Sequence, residues 1–177
     1  MDEAGPQPTH RTTGEEGGES FHLLFVCTGN TCRSPLAEVL TRRALHHRGW
    51  SHVEVRSAGV AAFPGAPASE GSLEVANEEG LDLTDHQATP ISPSLIEWAD
   101  LILTMSPGHL PPIQAAGAGD RATVITDFAL HAGEDAPWGP GVADPVGGDL
   151  SRYRATYREL EELVDAVLAR LEPLLDP

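Results

Sequence analysis

The chain is poor in positive charge. Eleven Lys plus Arg stand against 27 Asp plus Glu in 177 residues, a formal charge of −16. A field of that sign repels phosphate backbones and anionic lipids, which excludes broad binding to nucleic acid or to a membrane surface. A phosphate that binds here must be captured by a local device strong enough to overcome the field. Cysteine is equally scarce: Cys27 and Cys32 are the only two. They cannot build a disulfide scaffold, and a bridge over so short a spacing would constrain almost nothing. A reducing compartment is the expectation. Long apolar runs are missing too, none approaching the roughly 18 residues that span a bilayer, and the first residues are acidic where a secretory leader is basic and then apolar. The expectation is a soluble, cytoplasmic protein with no nucleic-acid or membrane partner. At about 100–200 residues per compact unit, it has one folded domain.

Residues 1–20, MDEAGPQPTHRTTGEEGGES, hold almost nothing apolar. They cannot bury enough surface to offset their ordering entropy, and read as a disordered acidic tail ahead of a domain over 21–177. From Phe21 onward, strand-like and helix-like segments alternate. Phe21 to Val26 is a short apolar run of buried-strand type, His52 to Ser57 a second strand, Asp100 to Met105 a third and Arg121 to Thr126 a fourth. Between them, Pro35 opens a helix to Arg48 that Gly49 stops; Ser69 to Glu79 and Ser92 to Ala99 read as two more. Leu150, Tyr153, Tyr157, Leu160, Val164, Val167 and Leu171 recur at steps of three and four, one apolar stripe on a long final helix that Asp149 is placed to cap. This order predicts an α/β fold of three layers, α/β/α, around a central four-stranded parallel sheet. Ligands of such sheets bind beyond the carboxyl ends of the strands, at a helix N-terminus. The Gly/Pro-rich stretch from Ala129 to Gly148 reads as a long loop, a length that is usually functional or disordered.

The first strand runs directly into Cys27-Thr28-Gly29-Asn30-Thr31-Cys32-Arg33-Ser34 before the Pro35 helix. A thiol ends the strand, and an arginine six positions later stands at the threshold of the helix. Gly29 can take a positive φ at little cost and Asn30 tolerates one well, so the loop can curl its amides toward one point. Converging N–H groups, the positive end of a helix and the Arg33 guanidinium make a site for a tetrahedral dianion. The same field favours the Cys27 thiolate, to which Ser34 can add a hydroxyl donor. A thiolate beneath a bound phosphoryl group is a nucleophile in line for displacement. Simple packing would account for Cys27 but not for Gly29, Arg33, Ser34 and Pro35 at these spacings. Two cysteines with no histidine in the loop supply too few ligands for zinc.

The stretch VCTGNTCRSPLAE resembles the phosphate-binding loop of the low-molecular-weight protein-tyrosine phosphatase family, with its Cys, five residues, Arg and Ser. Arg56-Ser57-Ala58-Gly59, Ala99 to Met105 and Asp144-Pro145 are also similar, so the resemblance covers about residues 21–172. It implies a phosphoryl transfer in two steps that needs no metal and no cofactor. Cys27 would attack phosphorus, amides from Thr28 to Arg33 and the Arg33 side chain would hold the equatorial oxygens, and Asp144 would be the general acid. An isolated Asp-Pro pair is ordinarily a turn; the place of this one, just before the last helix, is what gives Asp144 the catalytic reading. The family also implies that Asn30 holds the strained loop, with Ser57 and His86 as supporting partners. Cys32 matches a second cysteine that can form a reversible disulfide with the nucleophile, although a small packed thiol is an equal reading.

Two departures from the tyrosine-phosphatase pattern bear on substrate. Thr31 stands where those members commonly carry an aliphatic residue, and Asp144-Pro145-Val146-Gly147-Gly148 has no aromatic after Asp-Pro. A phenyl phosphate is gripped best by apolar and aromatic walls, whereas a phosphoguanidinium offers N–H donors that a threonine hydroxyl can accept. Both features are similar to the bacterial protein-arginine phosphatases of the family, so phosphorylated proteins, and phosphoarginine ahead of phosphotyrosine, are the expected substrates. Arsenate reductases share the fold but need two further cysteines for their relay, and a non-catalytic phosphate-binding module would dispense with the nucleophile or the acid. Trp138 is a candidate rim contact or a buried anchor of its loop.

Overall fold

The computed structural model of the chain describes residues 19–130 and 140–177. Four strands, β1 (Phe21–Cys27), β2 (Val53–Gly59), β3 (Leu101–Thr104) and β4 (Ala122–Val124), form one sheet in the order β2-β1-β3-β4. Every pairing is parallel; Cys27 is level with Gly59, and Val26 with Thr104. Six helices connect and cover the strands: α1 (Arg33–Arg48), α2 (Glu70–Glu78), α3 (Pro93–Trp98), α4 (Leu110–Ala115), α5 (Ile125–Ala129) and α6 (Leu150–Leu175).

The apolar run of β1 is continuous because both of its faces are covered. Leu23, Phe25 and Cys27 pack on one side with Leu36 and Leu40 of α1, Val75 of α2 and Leu160, Val164 and Val167 of α6. Leu24 and Val26 face the other side, against Ile96 of α3 and Leu110 and Ile113 of α4. This is the three-layer α/β/α arrangement that the alternation of segments predicts. Both cores are built on β1, whose C-terminal end carries Cys27 to the rim of the sheet.

The local signals act largely where they occur in the sequence. Asp149 caps α6 by accepting from the Arg152 amide at 3.2 Å, and Ser92 caps α3 from the Leu95 amide at 3.2 Å. Gly49, in the left-handed region at φ 71°, ends α1. Four details differ from the sequence reading. α1 begins at Arg33, two residues before Pro35, which still sits in the first turn, where its missing N–H costs nothing. β4 is shorter than 121–126, because Ile125 and Thr126 already belong to α5. The segment after β3 holds a 3₁₀ turn (Pro107–His109) and α4, in which Pro107 and Pro111 occupy first-turn positions. α6 runs to Leu175, past the end of the apolar stripe. Of the expected tail over 1–20, residues 1–18 lie outside the described residues, as does Trp138.

Candidate active site

β1 delivers Cys27 to the end of the sheet, buried, and the chain turns back at once through Thr28–Cys32 into α1. The turn requires a residue in the left-handed region, and that residue is Asn30, at φ 53°. Of the two residues the sequence offers for that conformation, Gly29 does not adopt it, and a Cβ built on Gly29 would meet only Thr31 Oγ1 at 3.5 Å. The glycine the loop does require comes from β2. A Cβ at Gly59 would lie 2.5 Å from the Thr28 carbonyl oxygen and 2.8 Å from the Asn30 nitrogen, so only glycine lets the two strand ends approach this closely. Just beyond, the amides of Val60 and Ala61 donate to the carbonyls of Cys27 and Thr28 at 3.0 and 2.9 Å, strapping the loop from outside.

Asn30, fully buried, offsets its strain with a complete set of hydrogen bonds. Its Nδ2 donates to Ser34 Oγ at 2.8 Å and to Ser57 Oγ at 2.9 Å, while its Oδ1 accepts from the Thr89 amide at 2.9 Å. His86 Nε2 lies 2.6 Å from the Asn30 carbonyl. Ser57 in turn donates to Glu38 Oε2 at 2.6 Å, and the Glu38 carboxylate is paired with Arg42 at 2.7 Å. Proton positions follow from this order. A carboxylate only accepts, so the Ser57 proton points at Glu38, and both Asn30 amide protons point at hydroxyl oxygens. Ser34 accepts from Asn30 and therefore has its own proton to give. Cys27 Sγ lies 2.9 Å from Ser34 Oγ, with the Ala58 carbonyl farther off at 3.4 Å. The Ser34 hydroxyl thus links the Asn30 network to the Cys27 sulfur.

Arg33, 4% exposed, is held from three directions. Nη1 donates to the Val142 carbonyl at 3.1 Å, and Nη2 reaches Thr28 Oγ1 and Asp144 Oδ2, each at 3.4 Å. Nε is buried and unpartnered among the described residues. An unpaired buried donor on a guanidinium is costly unless an anion completes it, and the Nε–Nη2 edge is the one that grips tetrahedral oxyanions in two places. The segment that brings Val142 and Asp144 here is pinned to the end of β3. Gly141 lies at φ 72° where a Cβ would clash with the Met105 carbonyl at 2.2 Å, and the Val142 amide donates to that same carbonyl at 2.7 Å. Asp144 itself is 43% exposed, with Oδ1 accepting from the Val146 amide at 3.0 Å.

Cys27, Asn30, Arg33, Ser34, Ser57, His86 and Asp144 are therefore gathered at one end of the sheet. Thr31 lies half-buried on the loop, its carbonyl accepting from the Ser69 amide at 2.8 Å. Cys32 is a buried free thiol that donates to Ser69 Oγ at 3.2 Å and lies 3.7 Å from the Tyr153 hydroxyl. Sequence reasoning missed two residues. Glu38 terminates the donor chain, and its helical spacing of four from Arg42 was a visible signal. His109, buried beneath the loop with Nε2 2.9 Å from Thr28 Oγ1, had only the Ser106-Pro107 helix-start signal three residues before it. No group of three or more His, Cys, Asp or Glu able to hold a metal ion occurs among the described residues.

The chain as a whole is similar to known proteins. The family model for low molecular weight phosphotyrosine protein phosphatases matches residues 22–174. A protein-arginine-phosphatase of Geobacillus stearothermophilus is 37% identical over 86% of this chain and 97% of its own length. A probable low molecular weight protein-tyrosine-phosphatase of Ralstonia nicotianae is 34% identical over 86% of the chain and 97% of its own. Among solved structures, an arginine phosphatase variant carrying a phosphorylated active-site serine superposes with a TM-score of 0.77, at 35% identity, over 86% of this chain and 96% of that one. With the family model spanning residues 22–174 and a relative of 37% identity matched over 97% of its own length, the chain belongs to the low molecular weight phosphotyrosine protein phosphatase family.

Proposed function

We propose that the chain is a cysteine-dependent protein phosphatase that removes phosphoryl groups from protein phosphoarginine, in the cytoplasm and without a metal. The observation that carries this reading is a pairing: a buried Cys27 sulfur 2.9 Å from the Ser34 hydroxyl, and an Arg33 Nε buried without a partner among the described residues. Positive charge for the anion is supplied by the guanidinium and the α1 N-terminus, so the phosphoryl group needs no cation of its own.

In the first step the Cys27 thiolate attacks phosphorus. The S–P bond forms as the P–N bond breaks, and the leaving guanidine takes a proton from Asp144. In the second, Asp144, now a carboxylate, removes a proton from water as the oxygen attacks phosphorus and the thiolate departs. A covalent phosphoenzyme is in keeping with the phosphorylated serine found in the related arginine phosphatase variant.

Phosphoarginine is favoured by Thr31, whose hydroxyl can accept from guanidinium N–H groups, and by Val146, 62% exposed at the position after Asp-Pro, in place of an aromatic wall. The acidic surface suits a cationic sequence around the target. Phosphotyrosine is the second reading. It is favoured by the family description and by Phe63, 79% exposed two residues beyond the strap on Thr28, an aromatic face available to an aryl substrate. Initial rates on phosphoarginine and phosphotyrosine peptides in chelator decide between them. Wild type is expected to prefer phosphoarginine, and Thr31→Ile to shift the ratio at least tenfold toward phosphotyrosine. An unchanged ratio removes the basis for the choice.

A further inference from the structure

His109 stands outside the roles assigned above, and its geometry gives it one. The imidazole is 5% exposed and lies in the 3₁₀ turn that follows β3. That turn is fixed by a capping box: the Ser106 backbone N–H donates to His109 Nδ1 at 3.2 Å, and the Ser106 hydroxyl receives the His109 amide. Ser106 is itself tied down, its carbonyl accepting from the buried Thr104 hydroxyl at 3.0 Å. An Nδ1 that accepts from a backbone amide carries no proton, so the proton of the neutral ring sits on Nε2. Nε2 faces Thr28 Oγ1 at 2.9 Å and must donate to it. The Thr28 oxygen also receives Arg33 Nη2 at 3.4 Å. With both acceptor positions filled, the Thr28 hydroxyl has only its proton left to offer, and among the described residues no acceptor faces it.

We propose that His109 is a positioning residue, which with Arg33 turns the Thr28 hydroxyl into a one-way donor to a phosphoryl oxygen on the Nη2 side of the guanidinium. Thr28 adjoins the nucleophile, so this donor adds to the Arg33 guanidinium one side-chain proton for the transferred group. The role is served by a neutral imidazole, whose bare Nδ1 accepts from the Ser106 N–H at 3.2 Å and lies 3.1 Å from the Ser106 hydroxyl, which has a proton to give it. Burial above all, then the Arg33 guanidinium, push the ring's pKa down to about 4, against the opposing pull of the Asp144 carboxylate. The inference rests on the phosphatase reading for its consequence in turnover, but not for the direction of the hydrogen bonds.

A cycle of variants tests it. A hydrogen bond to a charged group contributes roughly 10- to 100-fold, so Thr28→Val is expected to lower kcat/KM about 10- to 30-fold on phosphoarginine and on an aryl phosphate alike, and to weaken vanadate binding in parallel. His109→Leu should cause a similar loss. His109→Gln, which can accept from the Ser106 amide and still offer an N–H, should recover to within about 3-fold of wild type. In the Thr28→Val background, His109→Leu should cost less than about 2-fold more. Independent losses in the double variant, as a merely structural role predicts, overturn the proposal. Nitrogen-15 NMR of the wild-type imidazole, free and with vanadate, gives a readout without turnover and stands even if His109→Leu fails to fold. A neutral ring protonated on Nε2 at pH 6 is expected, and a proton on Nδ1 overturns the relay. If wild type hydrolyses neither substrate, the phosphatase reading fails, while the tautomer and the vanadate affinities still judge His109.

Discussion

The phosphate loop, residues 27–34, and the acid segment, residues 140–148, meet across Arg33 but are held by different means. In the loop, the Asn30 side chain is fully hydrogen-bonded: it donates to Ser34, which contacts the Cys27 sulfur, and to Ser57, which donates to the Glu38 carboxylate that Arg42 pairs. In the acid segment, anchoring stops at Gly141 and Val142. Asp144 beyond them keeps one ion pair and one local bond to the Val146 amide, with nearly half its side chain in water. The contrast matches the tasks assigned to the two parts. The oxyanion charge is present through both steps and is best met by dipoles that need no rearrangement. A proton donor must change state between the steps and work at two distances, so a looser support serves it better.

Arg33 belongs to both halves, and its replacement should be the most damaging substitution in the site. Arg33→Lys keeps a charge but loses the planar fork, which now binds the Val142 carbonyl on one edge and presents Nε and Nη2 on the other. Loss of a preorganised oxyanion donor typically costs about 10²- to 10³-fold in kcat, and at least that is expected, with vanadate affinity falling as well. Retained vanadate binding with lost turnover would show that the guanidinium acts on the acid segment alone. Asp144→Asn should separate the halves in the opposite sense. Vanadate affinity should stay within about 3-fold, while turnover falls about 10²-fold on phosphoarginine and far less on an aryl phosphate with an acidic leaving group, which needs no protonation. Equal slowing on both substrates would count against the general-acid role.

The same contrast governs how much could be read from the sequence. The phosphate loop is contiguous, and its chemistry is local: thiol, arginine and hydroxyl follow in order from a buried strand into a helix. The layers could be inferred because the apolar runs and the final stripe are long. What eluded the sequence depends on contacts between distant segments. The sequence offers both Gly29 and Asn30 for the positive φ; the choice falls on Asn30 because Ser34, Ser57, His86 and Thr89 all hydrogen-bond to it, the last two from the segment that follows α2. Ser57 and His86 could be placed only by resemblance, since their link to Asn30 spans 27 and 56 residues. His109 meets Thr28 across 81 residues, in a segment whose three prolines disguised a 3₁₀ turn and α4 as loop. Short helices of this kind are fixed by packing against the sheet and carry little periodicity of their own.

His109 also gives the smallest and most specific test of the contrast, because it touches the phosphate loop while sensing the charge of the acid segment. Its pKa is about 4 in the folded chain against about 6.5 in an open one. Above pH 6.5 neither state binds a proton there, and the stability is fully present. As pH falls below 6.5 the unfolded chain takes up a proton that the folded chain refuses, so stability is lost progressively until about 4, where both states are protonated. Between pH 7 and pH 5 this linkage amounts to about 2 kcal/mol. Denaturant unfolding at the two pH values should show that much more acid sensitivity in wild type than in His109→Gln, which has nothing to titrate. Asp144→Asn should carry the acid loss of the ring to lower pH, past about 4, because the carboxylate that opposes the downward shift is gone. If the acid segment can swing its charge away from the loop in solution, that extension below about pH 4 will be missing, and the ion pair at 3.4 Å will be only one of several positions Asp144 occupies.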